Sequence, residues 1–160
     1  PYLRQPEAYA ALSNLPSAQS FANGDALLKQ WGAFMAFRAE VQKSLEMARD
    51  AKLIGKSMEA AVTVYPKPAL RELLAGLDVM QLLITSGFTV AAEDAAVPAD
   101  AVAFDDGAIV VAHAAGDVCQ RCRMTTTDVG SDDRFPTLCA RCAKIVAANF
   151  PEAVTNGFEA

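Results

Sequence analysis

All four cysteines of this 160-residue chain stand in its last quarter, as two C-x2-C pairs: Cys119 and Cys122, then Cys139 and Cys142. Sixteen residues separate the pairs. A tight turn can point two thiolates at one place, and a second such turn closes a four-sulfur cage suited to a tetrahedral ion. The intervening segment is rich in Thr, Asp, Gly and Ser, with little to bury, so an ion is expected to hold it. Two disulfides would need an oxidising compartment, yet no basic segment followed by an apolar one marks the chain for export. A thioredoxin-like centre needs one C-x2-C at a helix start, not two facing pairs, and iron–sulfur ligation uses other spacings. The expectation is one Zn2+, structural because sulfur fills all four positions and leaves none open to water.

The rest of the chain can bury a core. Hydrophobic residues make up 52% and charged residues 21%, which excludes a disordered tail or a highly charged coiled coil. No run of 18 apolar residues is present, so no membrane partner is expected. The net charge is −5, unlike that of a dedicated nucleic-acid binder. Charge is nonetheless uneven. Arg38, Lys43, Arg49, Lys52 and Lys56 outnumber the acids around them, and so do Arg121, Arg123, Arg134, Arg141 and Lys144. The stretch from Ala92 to Gly107 holds five acidic residues and no basic one. The two basic segments are the places for a polyanion. The chain starts at Pro1 and reads as a piece of a longer one.

Periodicity predicts an α+β chain: a long helix, a small mixed α/β module and a C-terminal four-cysteine zinc knuckle. A short helix is possible over Glu7–Leu15. The long helix is expected from Asp25, as N-cap, to about Ile54, with Gly55 as the stop. Its stripe reads Leu27, Trp31, Phe34, Arg38, Val41, Leu45, Ala48 and Lys52. Arg38 and Lys52 either lay their stems along apolar surface or meet an anion. Alternation over Ala60–Tyr65 predicts a strand closed by Pro66. A short helix from Pro68 to about Ala75, a strand over Val79–Thr85 extended or followed by Phe88–Ala91, and a strand over Ala108–His113 complete a βαβ-like unit. The expected divisions are 1–58, 59–113 and 114–160.

Catalytic equipment is sparse. His113 is the only histidine and reads as a strand-end side chain, so a histidine base has no other candidate. No glycine-rich phosphate loop follows a strand. On its residues the chain is a non-catalytic binding or structural module.

Trp31-x6-Arg38 and the run from Val41 to Tyr65, above all LEMARDAKLIG followed by KSMEA, resemble the last helix of the anticodon-binding region of isoleucyl-tRNA synthetases. Leu82–Ser86 resembles the strand that follows in that family. AAGDVCQRC (Ala114–Cys122) and LCARC (Leu138–Cys142) resemble its C-terminal zinc module. The resemblance covers about residues 25 to 148. It implies a bacterial-type, class I parent, monomeric and cytoplasmic, that activates isoleucine with ATP and loads it on tRNA(Ile). The family's HIGH and KMSKS motifs are absent here, as is its editing domain. The piece would itself be non-catalytic and would hold the anticodon end of the tRNA. Arg121, Arg123, Arg141 and Lys144 around the cysteines, and Arg38, Arg49, Lys52 and Lys56 on the helix, are the expected tRNA contacts, and the remainder of the synthetase is the other partner. Many members carry Trp where this chain has Arg123, so a base-stacking aromatic is replaced by a guanidinium. Two other readings stay open. Formamidopyrimidine-DNA glycosylases end in a zinc module of the same spacing and use an N-terminal proline, although PYLRQPEAYA does not match their start. A zinc-stabilised protein-interaction module is the third.

Overall fold

The computed structural model describes residues 20–150; the possible helix over Glu7–Leu15 lies outside them. Helix α1 spans Gly24–Asp50. A 3-10 turn, Ser57–Glu59, leads into β1 (Ala60–Pro66), α2 (Pro68–Leu74), α3 (Val79–Leu83) and β2 (Gly87–Val90). The hairpin of β3 (Val102–Phe104) and β4 (Gly107–His113) follows, then the short ribbon of β5 (Asp117–Val118) and β6 (Thr125–Thr126), and last α4 (Ala140–Asn149).

Both ends of α1 differ from expectation. It starts one residue earlier, with Asn23 at the N-cap position and Asp25 inside the first turn, where a carboxylate faces the positive end of the helix dipole. It ends at Asp50, not near Ile54. The Lys52 N–H donates to the Arg49 carbonyl at 2.9 Å and the Leu53 N–H to the Ala48 carbonyl at 2.9 Å, the paired bonds of a Schellman stop. The left-handed residue is Lys52, at φ +58°, so Lys52 lies beyond the helix stripe. Gly55 instead brings its N–H to the Glu59 carboxylate at 2.7 Å, alongside that of Lys56 at 3.2 Å.

The buried face of α1 is Phe34, Phe37, Val41, Ser44, Leu45 and Ala48. Phe37 and Ser44 were not on the expected stripe; the Ser44 hydroxyl is satisfied by donating to the Glu40 carbonyl at 3.0 Å. This face packs with Val62, Val64, Leu70, Leu74, Val79, Leu83 and Ile109 in one cluster. Leu28, Trp31 and Met35 are exposed on the first turns.

The sheet has the order β2-β1-β4-β3. β1 runs parallel to β2, with Ala61 opposite Gly87 and Val64 opposite Val90, and antiparallel to β4, from Ala60–His113 to Pro66–Gly107. The parallel pair needs a long connection, and the crossover from Lys67 to Ser86 supplies it with two helices. The segment Val79–Leu83 is therefore helix, not strand, and the stretch Leu82–Ser86 is not a strand either. The Asp78 carboxylate accepts from the Gln81 N–H at 3.2 Å, an N-cap, and Val79 and Leu83 are one turn apart and both buried. The acidic segment also contains β3, which turns through Asp105 and Asp106 into Gly107. A Cβ at Gly107 would come within 2.3 Å of the Tyr65 carbonyl oxygen, so the close approach of β4 to β1 requires glycine there.

Leu45 is fully buried and Leu28 is 73% exposed. Leu45→Ala should lose about 2–5 kcal/mol, and Leu28→Ala should stay within about 0.5 kcal/mol of wild type, as read by denaturant unfolding. The N–H groups of Gly55 and Lys56 hold the Glu59 carboxyl below its ordinary value. Because the folded value is the lower one, that stabilisation is present above the unfolded carboxylate range and fades as pH falls through the folded value. Melts of wild type and Glu59→Gln should differ at neutral pH and converge in acid.

Candidate metal centre and basic surface

Each cysteine pair occupies a different local structure. Cys119 and Cys122 stand on the turn between β5 and β6, which pair Asp117 with Thr126 and Val118 with Thr125. The Cys119 N–H donates to the Met124 carbonyl at 2.9 Å and the Arg123 N–H to the Cys119 carbonyl at 2.8 Å. Arg123 takes a left-handed φ of +64°, a conformation that costs a residue with a Cβ about 1–2 kcal/mol. At the base of the ribbon, a Cβ on Gly116 (φ +100°) would meet the Thr126 carbonyl oxygen at 2.3 Å. Cys139 is the N-cap residue of α4 and Cys142 lies in its first turn, so the positive end of the helix dipole favours thiolate there.

The two turns meet. The four sulfurs lie within 4.8 Å of one another, and the Sγ atoms of Cys122 and Cys139 are 3.9 Å apart. A tetrahedral zinc with sulfur at about 2.3 Å has sulfur–sulfur edges of about 3.8 Å, so the four residues fit that ion. The Cys139 N–H donates to the Cys119 sulfur at 3.3 Å. Burial opposes ionisation of Cys119, but the N–H groups of Cys122, Cys139 and Arg121 outweigh it and bring that thiol below its ordinary value. Burial pushes the Cys139 thiol up, as do its hydrogen bonds with the other three sulfurs. Removing protons from all four is work that a bound cation has to supply.

The connecting segment buries more than its composition suggests. Phe135 and Leu138 join Cys119, Cys139, Cys142, Ala143 and Val146 in a second core. Asp128 fastens its two ends. It accepts from the Thr126 hydroxyl at 2.6 Å and from the Ala140 N–H at 3.1 Å, and these contacts hold its carboxyl below the ordinary value. Sequence reasoning missed this cap, because Asp128 lies twelve residues before the N–H it serves, beyond any local capping pattern. It also missed Ser86. The Ser86 hydroxyl donates to the Met58 carbonyl and accepts the Thr125 N–H at 2.8 Å. With the Ala114 N–H on the Glu59 carbonyl at 2.7 Å, it joins the knuckle to the sheet.

The basic residues divide by environment. Arg49 is spent locally, on Glu46 and on the Ser57 hydroxyl at 2.7 Å. Arg121 donates to the Cys142 sulfur at 3.6 Å. The Arg141 guanidinium is held above its ordinary value by hydrogen bonding to Cys122 and attraction to that sulfur and to those of Cys142 and Cys139. Arg123 reaches the Gln120 side-chain oxygen at 2.8 Å. Lys56 and Arg123 line one cleft of ≈ 230 Å³ together with Met58, Glu59 and Val118. Lys144 lines a different depression with Ser131, Asp132 and Arg134, where Arg134 is paired with Asp132 at 2.7 Å. Arg38 is half-buried, and neither it nor the exposed Lys52 makes a salt bridge among the described residues. His113 is exposed at the end of β4, its Nδ1 2.8 Å from the Ala114 carbonyl oxygen.

Residues 116–145 match the family described as the zinc finger found in FPG and IleRS. The isoleucine–tRNA ligase of Lacticaseibacillus casei is 60% identical over 161 residues. That of Latilactobacillus sakei is 56% identical over 160 residues, and that of Enterococcus faecalis 51% over 160. Each match covers 99% of this chain and 17% of the relative. The chain thus spans about a sixth of the length of those ligases, and together with the zinc finger the similarity fits a C-terminal region. The four cysteines form the site of one structural zinc ion.

Protein prepared without chelator should carry about one zinc at these cysteines, measured by elemental analysis. Cys139→Ser should unfold the part after about Ala114 and leave the helical melt of the α1–sheet body in place, because the two cores share no buried side chain. A single, fully lost transition would contradict that separation.

Proposed function

We propose that this chain, related in sequence to isoleucine–tRNA ligases and fitting a C-terminal region of them, contributes to holding the anticodon end of tRNA(Ile) in a full-length synthetase. The observation that carries the proposal is the cleft shared by Lys56 and Arg123. One comes from the turn after α1 and the other from the first cysteine turn, so both basic segments of the sequence supply a cation to the same place. Glu59 does not cancel them, since its carboxylate is taken up by the N–H groups of Gly55 and Lys56. Phosphate is the chemistry two converging cations suit, and phosphate contacts set the position of a nucleic acid without reading its sequence.

Lys52, Arg38 and Lys144 extend this surface in the proposal, while Arg49 holds the turn that presents Lys56. The exposed apolar side chains of Leu28, Trp31 and Met35 are suited to packing on the remainder of the synthetase. ATP-dependent charging of tRNA(Ile) in the cytoplasm, by a monomer, is the activity this piece would serve. The zinc finger alone is shared with FPG proteins, but similarity to the ligases across 99% of the chain favours the tRNA reading over a DNA-repair one.

The test is aminoacylation by the full-length enzyme carrying Lys56→Ala or Arg123→Ala, over a range of salt. Each substitution should lower kcat/KM for tRNA and flatten the logarithmic salt dependence by about one unit, with isoleucine-dependent ATP–pyrophosphate exchange unchanged. If both variants keep wild-type efficiency and slope, the cleft does not hold tRNA. Arg123→Gly should show the same salt effect while gaining about 1 kcal/mol of stability, because it relieves the left-handed backbone.

A further inference from the structure

The two cysteine turns have the same inner sequence pattern, Cys-x-Arg-Cys: Cys119-Gln120-Arg121-Cys122 and Cys139-Ala140-Arg141-Cys142. The structure gives the repeat a crossed geometry. Arg121 does not serve its own turn; its guanidinium donates to the sulfur of Cys142, the last cysteine of the other turn, at 3.6 Å. Arg141 directs its guanidinium the opposite way, at Cys122, the last cysteine of the first turn. Cys122 is the half-buried member of the four, while Cys142 is fully buried.

Four thiolates around one Zn2+ leave a formal excess of two negative charges. Nothing acidic needs to approach for such a centre to be costly: burying net charge without a counter-charge is expensive. Two guanidinium groups are the matching excess of positive charge, and an N–H to a sulfur also removes electron density from it. We propose that Arg121 and Arg141 are a reciprocal pair of outer partners for the zinc–thiolate cage, each fixing the last cysteine of the opposite turn and lowering its reactivity. The pair would bind the two turns to each other through charge, in addition to the shared ion. The proposal rests on the zinc centre and not on tRNA binding, so the two can fail separately.

The measurement is the alkylation rate of each of the four cysteines in the zinc-loaded full-length protein, resolved by peptide mass spectrometry, with zinc release to a chelator followed in parallel. Arg121→Gln should accelerate alkylation chiefly at Cys142, and Arg141→Gln chiefly at Cys122, each with zinc loss about tenfold or more faster. Arg121→Lys and Arg141→Lys should fall between wild type and the Gln variants, keeping the charge but not the directed N–H groups. Circular dichroism and the melt of the body serve to show that the fold is retained; both arginines are exposed, so their replacement leaves no cavity. Unchanged alkylation and zinc release in both Gln variants would overturn the proposal. So would equal acceleration at all four cysteines whichever arginine is replaced, since that reports general loosening and not a crossed pair.

Discussion

Four thiol groups that repel one another once ionised can share a volume a few ångströms across only with a cation among them. That constraint organises everything after Ala114. The ribbon of β5 and β6 presents two sulfurs and the first turn of α4 presents two more, and neither element has the length to be stable by itself. Phe135 and Leu138 add apolar contacts, but the second core is built largely from the cysteines themselves. The ion, the buried sulfurs and the helix terminus are therefore a single unit.

The body obeys a different rule. Its strands are long enough to define their own faces, and α1 covers the sheet with two aromatic rings that meet those of the strands: Phe37 lies 6.4 Å from Phe88 and 6.3 Å from Phe104, centroid to centroid. Those contacts come from apolar burial, which needs no ion. A protein with two cores stabilised by different physics can lose one and keep the other.

What the sequence made legible follows from how local each signal is. The cysteine spacing is a geometric requirement and stood out at once. Alternation in Ala60–Tyr65 identified β1, because Ala60, Val62 and Val64 all turn to the core. Val79–Leu83 misled, because five residues rich in apolar side chains satisfy a strand and a single helical turn equally well, and the deciding group is the capping carboxylate of Asp78. β3 was hidden for another reason: three residues in an acidic stretch carry no period, and their register is imposed by β4. The stop at Lys52 was assigned to Gly55 because glycine is the usual left-handed residue, whereas here the backbone bonds to Ala48 and Arg49 placed a lysine in that role. The site residues divide in the same way. The sulfurs were legible from spacing, while Ser86 and Asp128 act over 39 and 12 residues and left no local trace.

Three residues other than glycine adopt a left-handed φ among the described residues: Lys52, Ile84 and Arg123. Each stands a few positions before one of the three groups joined at the Ser86 hydroxyl, namely Met58, Ser86 itself and Thr125. The buried hydroxyls of Thr85 and Thr125, neither with a hydrogen-bond partner, flank the same point. Conformational strain and unmet polar groups are thus concentrated on the boundary between the two cores and spared inside them. Such a boundary has the least to lose by parting, so its amides exchange with solvent before those of either core, and the knuckle can pivot on the sheet as a rigid piece while its own sulfur cage stays closed.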